Sequence, residues 1–155
     1  MHLQMAGWSQ ALAAQQLERL DIEERLAAVV RALVPTTGEA SMRRPHRAVE
    51  RAREYIAAAP QRDDTLTEIA RAANCSAFHL ARRFRLQTGL SLHGFRTRLR
   101  MTLALDRLRQ GERNLSALAA ELGYASHSHF TGVFRHSFGL TPSRMRTNLA
   151  APALR

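Results

Sequence analysis

The residues with the clearest chemical capacity lie on one face of a helical segment near the middle of the chain. Phe78, Ala81, Arg82 and Arg85 follow one another at i, i+3, i+4 and i+7, the spacing that places side chains on one helix face. This face carries two arginines and no acidic residue. A guanidinium donates paired hydrogen bonds to phosphate oxygens or to O6 and N7 of guanine, so the pattern indicates an anionic, nucleic-acid-like partner.

A second segment repeats the skeleton of the first. The first copy spans residues 65–89 and the second spans residues 114–139. The matching positions are Ile69-Ala70 with Leu118-Ala119, Ser76 with Ser126, Leu80 with Phe130, Phe84-Arg85 with Phe134-Arg135, and Gly89-Leu90 with Gly139-Leu140. An internal repeat predicts that one supersecondary unit occurs twice.

Each copy is expected to form a short helix, a tight turn and a longer helix. Thr65 followed by Glu68 has the spacing of a capping box, which starts the first short helix. Asn74 and Gly123 stand at the two turns, where the backbone needs a residue that tolerates the left-handed conformation. The apolar face of the first short helix is predicted to consist of Leu66, Ile69 and Ala70.

The two longer helices should begin after Ser76 and Ser126, which are favourable N-caps. Each has an apolar pair four residues apart for the core, Leu80 with Phe84 and Phe130 with Phe134. Two helices joined by a tight turn, the second with a basic outer face, form the helix-turn-helix arrangement that enters a DNA major groove.

These residues, in this order and at this spacing, resemble the DNA-binding domain of the AraC/XylS family of bacterial transcription regulators over residues 46–148. The first unit matches in Ser76-x-x-His-Leu80-x-Arg82-x-Phe84-x-x-x-x-Gly89-Leu-Ser91, and the connecting segment in Arg98-Leu99, Ala104 and Leu108. The second unit matches in Leu118-Ala119-x-x-x-Gly123-Tyr124-x-Ser126-x-x-x-Phe130-x-x-x-Phe134-x-x-x-x-Gly139-Leu-Thr-Pro142-x-x-x-Arg146. The resemblance implies an all-α, homeodomain-like fold in which a long connecting helix joins two helix-turn-helix subdomains.

Composition agrees with an anionic partner. The formal net charge is +10, and inspection shows that all 23 Lys+Arg residues are arginine. A basic surface that only keeps the chain soluble is the alternative reading of charge alone. Cys75 is the only cysteine, so no internal disulfide can form and a reducing cytoplasm is expected. No apolar run suggests a membrane span.

The division into domains follows from these patterns. Residues 1–42 are expected to hold amphipathic helices and a linker, and they resemble the end of a sensing or dimerising domain. Residues 43–148 are assigned to the double helix-turn-helix domain, and residues 149–155 to a frayed tail. The sequence leaves open whether the helices before residue 43 pack in a larger protein, pair in a dimer or form a loosely docked extension.

Two further helices should position the repeats. Helix 1 is predicted over residues 46–59, ending at Pro60. A connecting helix is predicted from its cap at Ser91 to about Gln110, with Gly111 after its end. Its apolar residues should face both units (Phe95, Leu99, Leu103, Ala104, Leu108), and its arginines should line other faces (Arg96, Arg98, Arg100, Arg107, Arg109). Such a helix, about 30 Å long, would set the two units on adjacent major-groove segments about one turn apart.

In the first unit, Arg82 is the expected base contact, by bidentate hydrogen bonds to guanine. Phe78 or Ala81 could touch a thymine methyl group, with core packing as the alternative for Phe78, and Ala77 shares the exposed face. Ser76, Arg83 and Arg85 are predicted to contact phosphates of the DNA backbone, which would position the protein without specifying sequence.

In the second unit, the base-contacting face is predicted to comprise His127, Ser128, Thr131 and Gly132, and the phosphate ligands Ser126 and Arg135. Gly132 departs from the family pattern, because it occupies the position of Arg82. A glycine within a helix costs roughly 1 kcal/mol against alanine and supplies no long side chain. The second unit is therefore expected to discriminate bases less, unless the missing side chain lets the backbone approach the groove.

No other chemistry is indicated. The histidines between 127 and 136 lack carboxylate or cysteine partners at ligand spacing, so neither a metal nor a cofactor is expected. Cys75 is predicted to be inertly buried in a turn rather than nucleophilic, and the chain is interpreted as a non-enzyme.

The resemblance implies a sequence-specific transcriptional activator that binds double-stranded DNA and RNA polymerase. The alternative is a helical module that dimerises with, or antagonises, a full-length regulator through residues 9–34, the segment that could also form a homodimer.

Overall fold

The computed structural model describes residues 46–150, and in this range every regular element is an α-helix. The helices in chain order are α1 (Arg47–Ala58), α2 (Leu66–Ala72), α3 (Ala77–Thr88), α4 (Leu92–Arg109), α5 (Leu115–Glu121), α6 (His127–Phe138) and α7 (Pro142–Ala150). The predicted all-α class, with two helix-turn-helix units and a long connecting helix α4, is confirmed. The predicted helices and linker before residue 43, the 9–34 segment and residues 151–155 lie outside the described range.

Local sequence signals start the helices of the first unit. The Thr65 hydroxyl accepts from the Glu68 amide at 3.3 Å, and the Glu68 carboxylate accepts from the Thr65 amide at 2.7 Å. These reciprocal bonds satisfy two amides that a helix start leaves unpaired, so the predicted capping box is present. Asn74 has a positive φ of 56°, as the turn between α2 and α3 requires.

Residues 46–150 form two hydrophobic cores, one for each unit, and α4 contributes to both. Its first turns pack Leu92 and Phe95 into the first core, where Phe95 meets Phe84 with ring centroids 5.4 Å apart. Its later turns pack into the second core with the side chains of Met101, Ala104, Leu105 and Leu108. A row of rings along α6 fills the second core: Phe130, Phe134 and Phe138. One helix therefore holds two separately packed units together.

Two predicted core residues lie on the surface instead. Leu66 is 39% exposed, because it is the first residue of α2 and helical side chains lean toward the N-terminal end, away from the core. Leu103 is 42% exposed, because it lies on the face of α4 opposite to Met101 and Leu105.

The arginines of α4 are predicted to line faces other than the apolar one, and two of them are buried there. Arg96 and Arg100 are only 8% and 6% exposed, and both donate hydrogen bonds to the loop between α1 and α2. Sequence periodicity treats an arginine as a surface residue, whereas backbone carbonyls brought close by folding can bury one.

The C-terminal end of the domain also differs from the prediction. Helix α7 continues through residue 150, and Leu149 packs against the second core, so residues 149 and 150 belong to the domain rather than to a tail. Arg146 of this helix is half-buried and donates to the carbonyl of Arg113 at 3.0 Å. No helix within residues 46–150 is long and apolar enough to cross a membrane.

Candidate nucleic-acid interface

Helix α3 presents the face that the sequence predicts to read DNA. Leu80 and Phe84 are fully buried in the first core, which fixes the rotation of the helix. Phe78 is 79% exposed, so its alternative role in core packing is excluded. The three predicted arginines, Arg82, Arg83 and Arg85, are also exposed. Ala77 and Ala81 are half-buried at the edges of the face.

One residue of this surface was missed by the sequence interpretation. Leu86 is 71% exposed and continues the i, i+4, i+8 row that begins with Phe78 and Arg82. The helical phase relative to Leu80 would have placed it outside the core. The stripe formed by these three exposed residues, an arginine between two apolar groups, is well suited to hydrogen-bonding one base and covering the methyl groups or sugars beside it.

Helix α6 presents a different surface at the equivalent positions. His127, Ser128, Gly132 and Arg135 are exposed, as predicted. Thr131 is half-buried, and its hydroxyl oxygen is shielded without a hydrogen-bond partner among the described residues. The Thr131 hydroxyl is therefore not exposed on this face, and the exposed polar side chains here belong to His127, Ser128 and Arg135.

Space is available beside Gly132. A Cβ atom built on this residue meets no atom within 4 Å. Ser128 and Gly132 lie on one wall of a groove of about 940 Å³ between α4 and α6, whose other residues include His93, Arg98 and His136. The second recognition face is therefore a shallow, small-residue wall, whereas the first carries projecting side chains.

Helices α3 and α6 begin at their exposed N-terminal ends in the same way. The Ser76 hydroxyl accepts from the His79 amide at 3.3 Å, and the Ser126 hydroxyl accepts from the His129 amide at 3.1 Å. Because a hydroxyl that accepts still has its own hydrogen to donate, each cap serine can also bind a phosphate oxygen. The positive end of the helix dipole favours an anion there as well.

A histidine pair ties α3 to α1. The ring nitrogens Nε2 of His46 and His79 lie 3.3 Å apart, and the His46 amide donates to the Gln87 side chain at 3.2 Å. His79 is half-buried and does not belong to the exposed stripe. These contacts join both ends of α3 to His46, the N-cap residue of α1.

The charge of the candidate interface is uncompensated by local acids. Helices α3 and α6 contain no Asp or Glu. Within residues 46–150, no salt bridge engages Arg82, Arg83, Arg85 or Arg135, whereas Arg96, Arg100 and Arg107 are all paired with carboxylates. These four arginines lie on the outer faces of α3 and α6, where the phosphates of an anionic partner could neutralise their charge.

Tyr124 supports α6 from below. It is 8% exposed, and its ring lies 5.4 Å from that of His129 and 5.5 Å from that of Phe130. Burial raises the pKa of the Tyr124 phenol, an effect that the positive charge of Arg100 opposes. The neutral phenol is therefore favoured in the folded domain.

The structure offers little support for other chemistry. Cys75 is half-buried and packs against the first core, so the expectation of full burial holds only in part. Among residues 46–150, no three His, Cys, Asp or Glu side chains gather as metal ligands.

The sequence is similar to a protein family and to several known regulators. Residues 69–148, about half of the chain, match the helix-turn-helix domain family. The chain is 37% identical over 81 residues to the regulatory protein SoxS of Escherichia coli, covering 52% of this chain and 76% of SoxS. It is 32% identical over 93 residues to a putative AraC-like transcription regulator of Streptomyces lividans, covering 60% of this chain and 31% of that protein.

A solved structure has the same fold. The C-terminal domain of AraT, a response regulator from Geobacillus stearothermophilus, superposes with a TM-score of 0.66 at 27% identity, covering 73% of this chain and 94% of that one. The chain belongs to the AraC/XylS family and carries its double helix-turn-helix DNA-binding domain. Family and fold are those of DNA-binding transcription regulators rather than of enzymes.

Proposed function

We propose that this protein is a sequence-specific transcriptional regulator that reads two adjacent major-groove segments, one with α3 and one with α6. The observation that carries the proposal is the acid-free outer face of two similarly capped helices, each rotated by its own core so that most of the predicted contact residues are exposed. DNA is the partner that such paired faces fit.

The two units have unequal roles in this proposal. Arg82 makes the main base contact, with Phe78 covering a thymine methyl group beside it. Ser128, His127 and Gly132 form a wall that discriminates bases weakly. Phosphate contacts come from the cap serines and the remaining exposed arginines: Ser76, Ser126, Arg83, Arg85 and Arg135.

Activation through contact with RNA polymerase is proposed from the family resemblance, and a homodimer through residues 9–34 from the amphipathic pattern of that segment. The chain spans 31% of the length of its Streptomyces relative. A sensing domain and the effector that such a domain would bind are therefore proposals as well. In the competing interaction-module hypothesis, tight association with a full-length regulator would accompany weak DNA binding.

The test is a binding titration of the purified chain against a pool of randomised duplexes at low and near-physiological salt. We expect enrichment of an asymmetric site about two helical turns long, with its strongest bases in one half. Steeply salt-dependent binding without enrichment would contradict sequence reading, because phosphate contacts alone produce that behaviour. Weak binding to every duplex, together with tight capture of a full-length regulator, would favour the interaction module.

A further inference from the structure

The most unusual side chain in the domain lies between its two units. Arg100, in the middle of α4, is only 6% exposed, although arginine side chains are mostly exposed in folded proteins. Its guanidinium is surrounded by five acceptors, four of them backbone carbonyls. A buried arginine requires such compensation, so the site that receives it is a specific one.

The acceptors belong to both helix-turn-helix units. In the loop between α1 and α2, the Arg100 guanidinium donates to the carbonyls of Pro60 at 2.7 Å, Gln61 at 3.1 Å and Arg62 at 3.2 Å. It donates to the Asp63 carboxylate at 3.1 Å as well. Towards the second unit, it donates to the carbonyl of Gly123 at 3.3 Å.

A ring contact adds to the bonds towards the second unit. The guanidinium carbon of Arg100 lies 5.4 Å from the ring centroid of Tyr124, the residue that also supports the N-terminal half of α6. One side chain thus touches the loop that leads into α2 and the turn that leads into α6.

The backbones of the two units meet at the same point. A Cβ atom added to Gly123 would lie 2.1 Å from the carbonyl oxygen of Gln61 and 3.1 Å from the Arg100 guanidinium. Gly123 also has a φ of +77°, so it serves both the turn and the close approach. Arg96, one turn earlier in α4, supports the same loop by donating to the carbonyl of Asp64 at 2.7 Å.

We infer that Arg100 is a positioning residue that fixes the relation of α3 to α6, and thereby sets the base-pair spacing the protein accepts between its two DNA segments. The spacing consequence rests on the proposed two-unit reading, whereas the fixed arrangement of the units does not. The two cores are packed separately on α4, and the hydrogen bonds of Arg100 join the loop before α2 to the turn before α6, which adds a second connection between the units. The planar guanidinium of arginine has donors on both sides, so it can bind the carbonyls of residues 60–62 and that of Gly123 at the same time. The ammonium group of a lysine cannot reach both sides at once.

The first experiment measures the arrangement without DNA. Spin labels are attached to cysteines introduced at the exposed positions Leu86 of α3 and Ser116 of α5, in a Cys75→Ala background. One narrow distance distribution is expected for the parent chain, and a clearly broader or shifted one for Arg100→Met, which keeps the apolar stem but no donor. Arg109→Met is the matched control, since Arg109 is on the same helix and, within residues 46–150, forms a single salt bridge, to Asp106 at 3.9 Å. An unchanged distribution in Arg100→Met would overturn the inference.

The second experiment tests the consequence on DNA. The enriched duplex is compared with versions in which one base pair is inserted or removed between the two segments, which rotates one segment by about 34° relative to the other. The parent chain should lose about tenfold or more in affinity on either altered duplex. Arg100→Met and Arg100→Lys should bind the original duplex more weakly and bind all three within about twofold of one another. Binding to a duplex with only the first segment should not change.

The outcomes separate the two proposals. If the parent chain ignores the second segment altogether, two-unit reading fails, while the distance measurement still decides whether Arg100 fixes the units. If the parent chain distinguishes the three base-pair spacings and Arg100→Met distinguishes them equally well, only the positioning role of Arg100 fails.

Should Arg100→Met fail to fold, Gly123→Ala applies the same test from the other side of the junction. Its control is Gly89→Ala, which has a similar φ of +74° but meets nothing within 4 Å. Equal spacing discrimination by these two variants would overturn the inference.

Discussion

Arg82 and Gly132 stand at equivalent positions of α3 and α6, six residues after the cap serines Ser76 and Ser126. Both are exposed, and the space that a side chain at residue 132 would enter is open. The two units thus share a backbone plan and differ in what they project from it, which makes position 132 a direct test of how base reading is divided.

Gly132→Arg should tighten DNA binding and add a preference at one base pair, because an arginine there extends into open space on the recognition face. The measurement is the affinity for the enriched duplex and for its single-base variants. Gly132→Ala is the control, since it supplies the gain in helix propensity, about 1 kcal/mol, without a contact. If Gly132→Arg weakens binding while Gly132→Ala does not, a close approach of the α6 backbone to DNA is the better account.

Arg82→Ala should cost about 1–3 kcal/mol of binding free energy on the enriched duplex and relax the preference at one position. Arg83→Ala, which removes an exposed arginine from the neighbouring position, should weaken binding to all duplexes alike and reduce the salt dependence. Titrations on the enriched and a scrambled duplex at two salt concentrations distinguish these patterns. Equal losses for Arg82→Ala on both duplexes would rule out its base contact.

Phe78→Ala should reduce affinity for the enriched duplex while leaving the free energy of unfolding nearly unchanged. The reason is that 79% of the side chain is already exposed, so little core packing is lost. Leu80→Ala, two residues away and fully buried, should destabilise the domain by about 2–5 kcal/mol. Urea unfolding followed by circular dichroism, combined with DNA titration, separates the two effects. A large loss of stability in Phe78→Ala would contradict this prediction.

The capping box of α2 should make stability depend on pH in the acidic range. Hydrogen bonds from the Thr65 amide, and then from its hydroxyl, hold the pKa of Glu68 below its ordinary value of 4.5. A depressed pKa in the folded state means that the contribution is present above 4.5 and is lost as the pH falls through the folded-state value. The stability difference between the parent chain and Glu68→Gln should therefore shrink as unfolding is measured at successively lower pH. A difference that stays constant with pH would contradict this prediction.

Gly123→Ala should destabilise the domain more than Gly89→Ala. Both substitutions place a Cβ in the left-handed region, but only residue 123 would also meet the carbonyl oxygen of Gln61. Thermal unfolding of the two variants measures the difference directly. Equal destabilisation would mean that the loop before α2 moves aside without cost.

The sequence by itself determined the local features of the domain, because each depends on neighbours a few residues apart. Capping at Thr65, Ser76 and Ser126 and the left-handed turn at Asn74 need only their own segments, so helix starts and turns were predictable. The outward rotation of Arg82 followed from the buried pair four residues apart on either side of it, for the same reason.

Only the tertiary structure decided which residues join the two units. Arg100 reads as a surface arginine in a helical pattern, and its burial depends on carbonyls at residues 60–62 and 123, far away in the chain. Gly123 reads as a turn glycine, and its approach to Gln61 is visible only after both units have packed on α4. Periodicity reports the faces of a single helix, whereas the partner of each face is set by long-range packing, which is why the junction was not predicted.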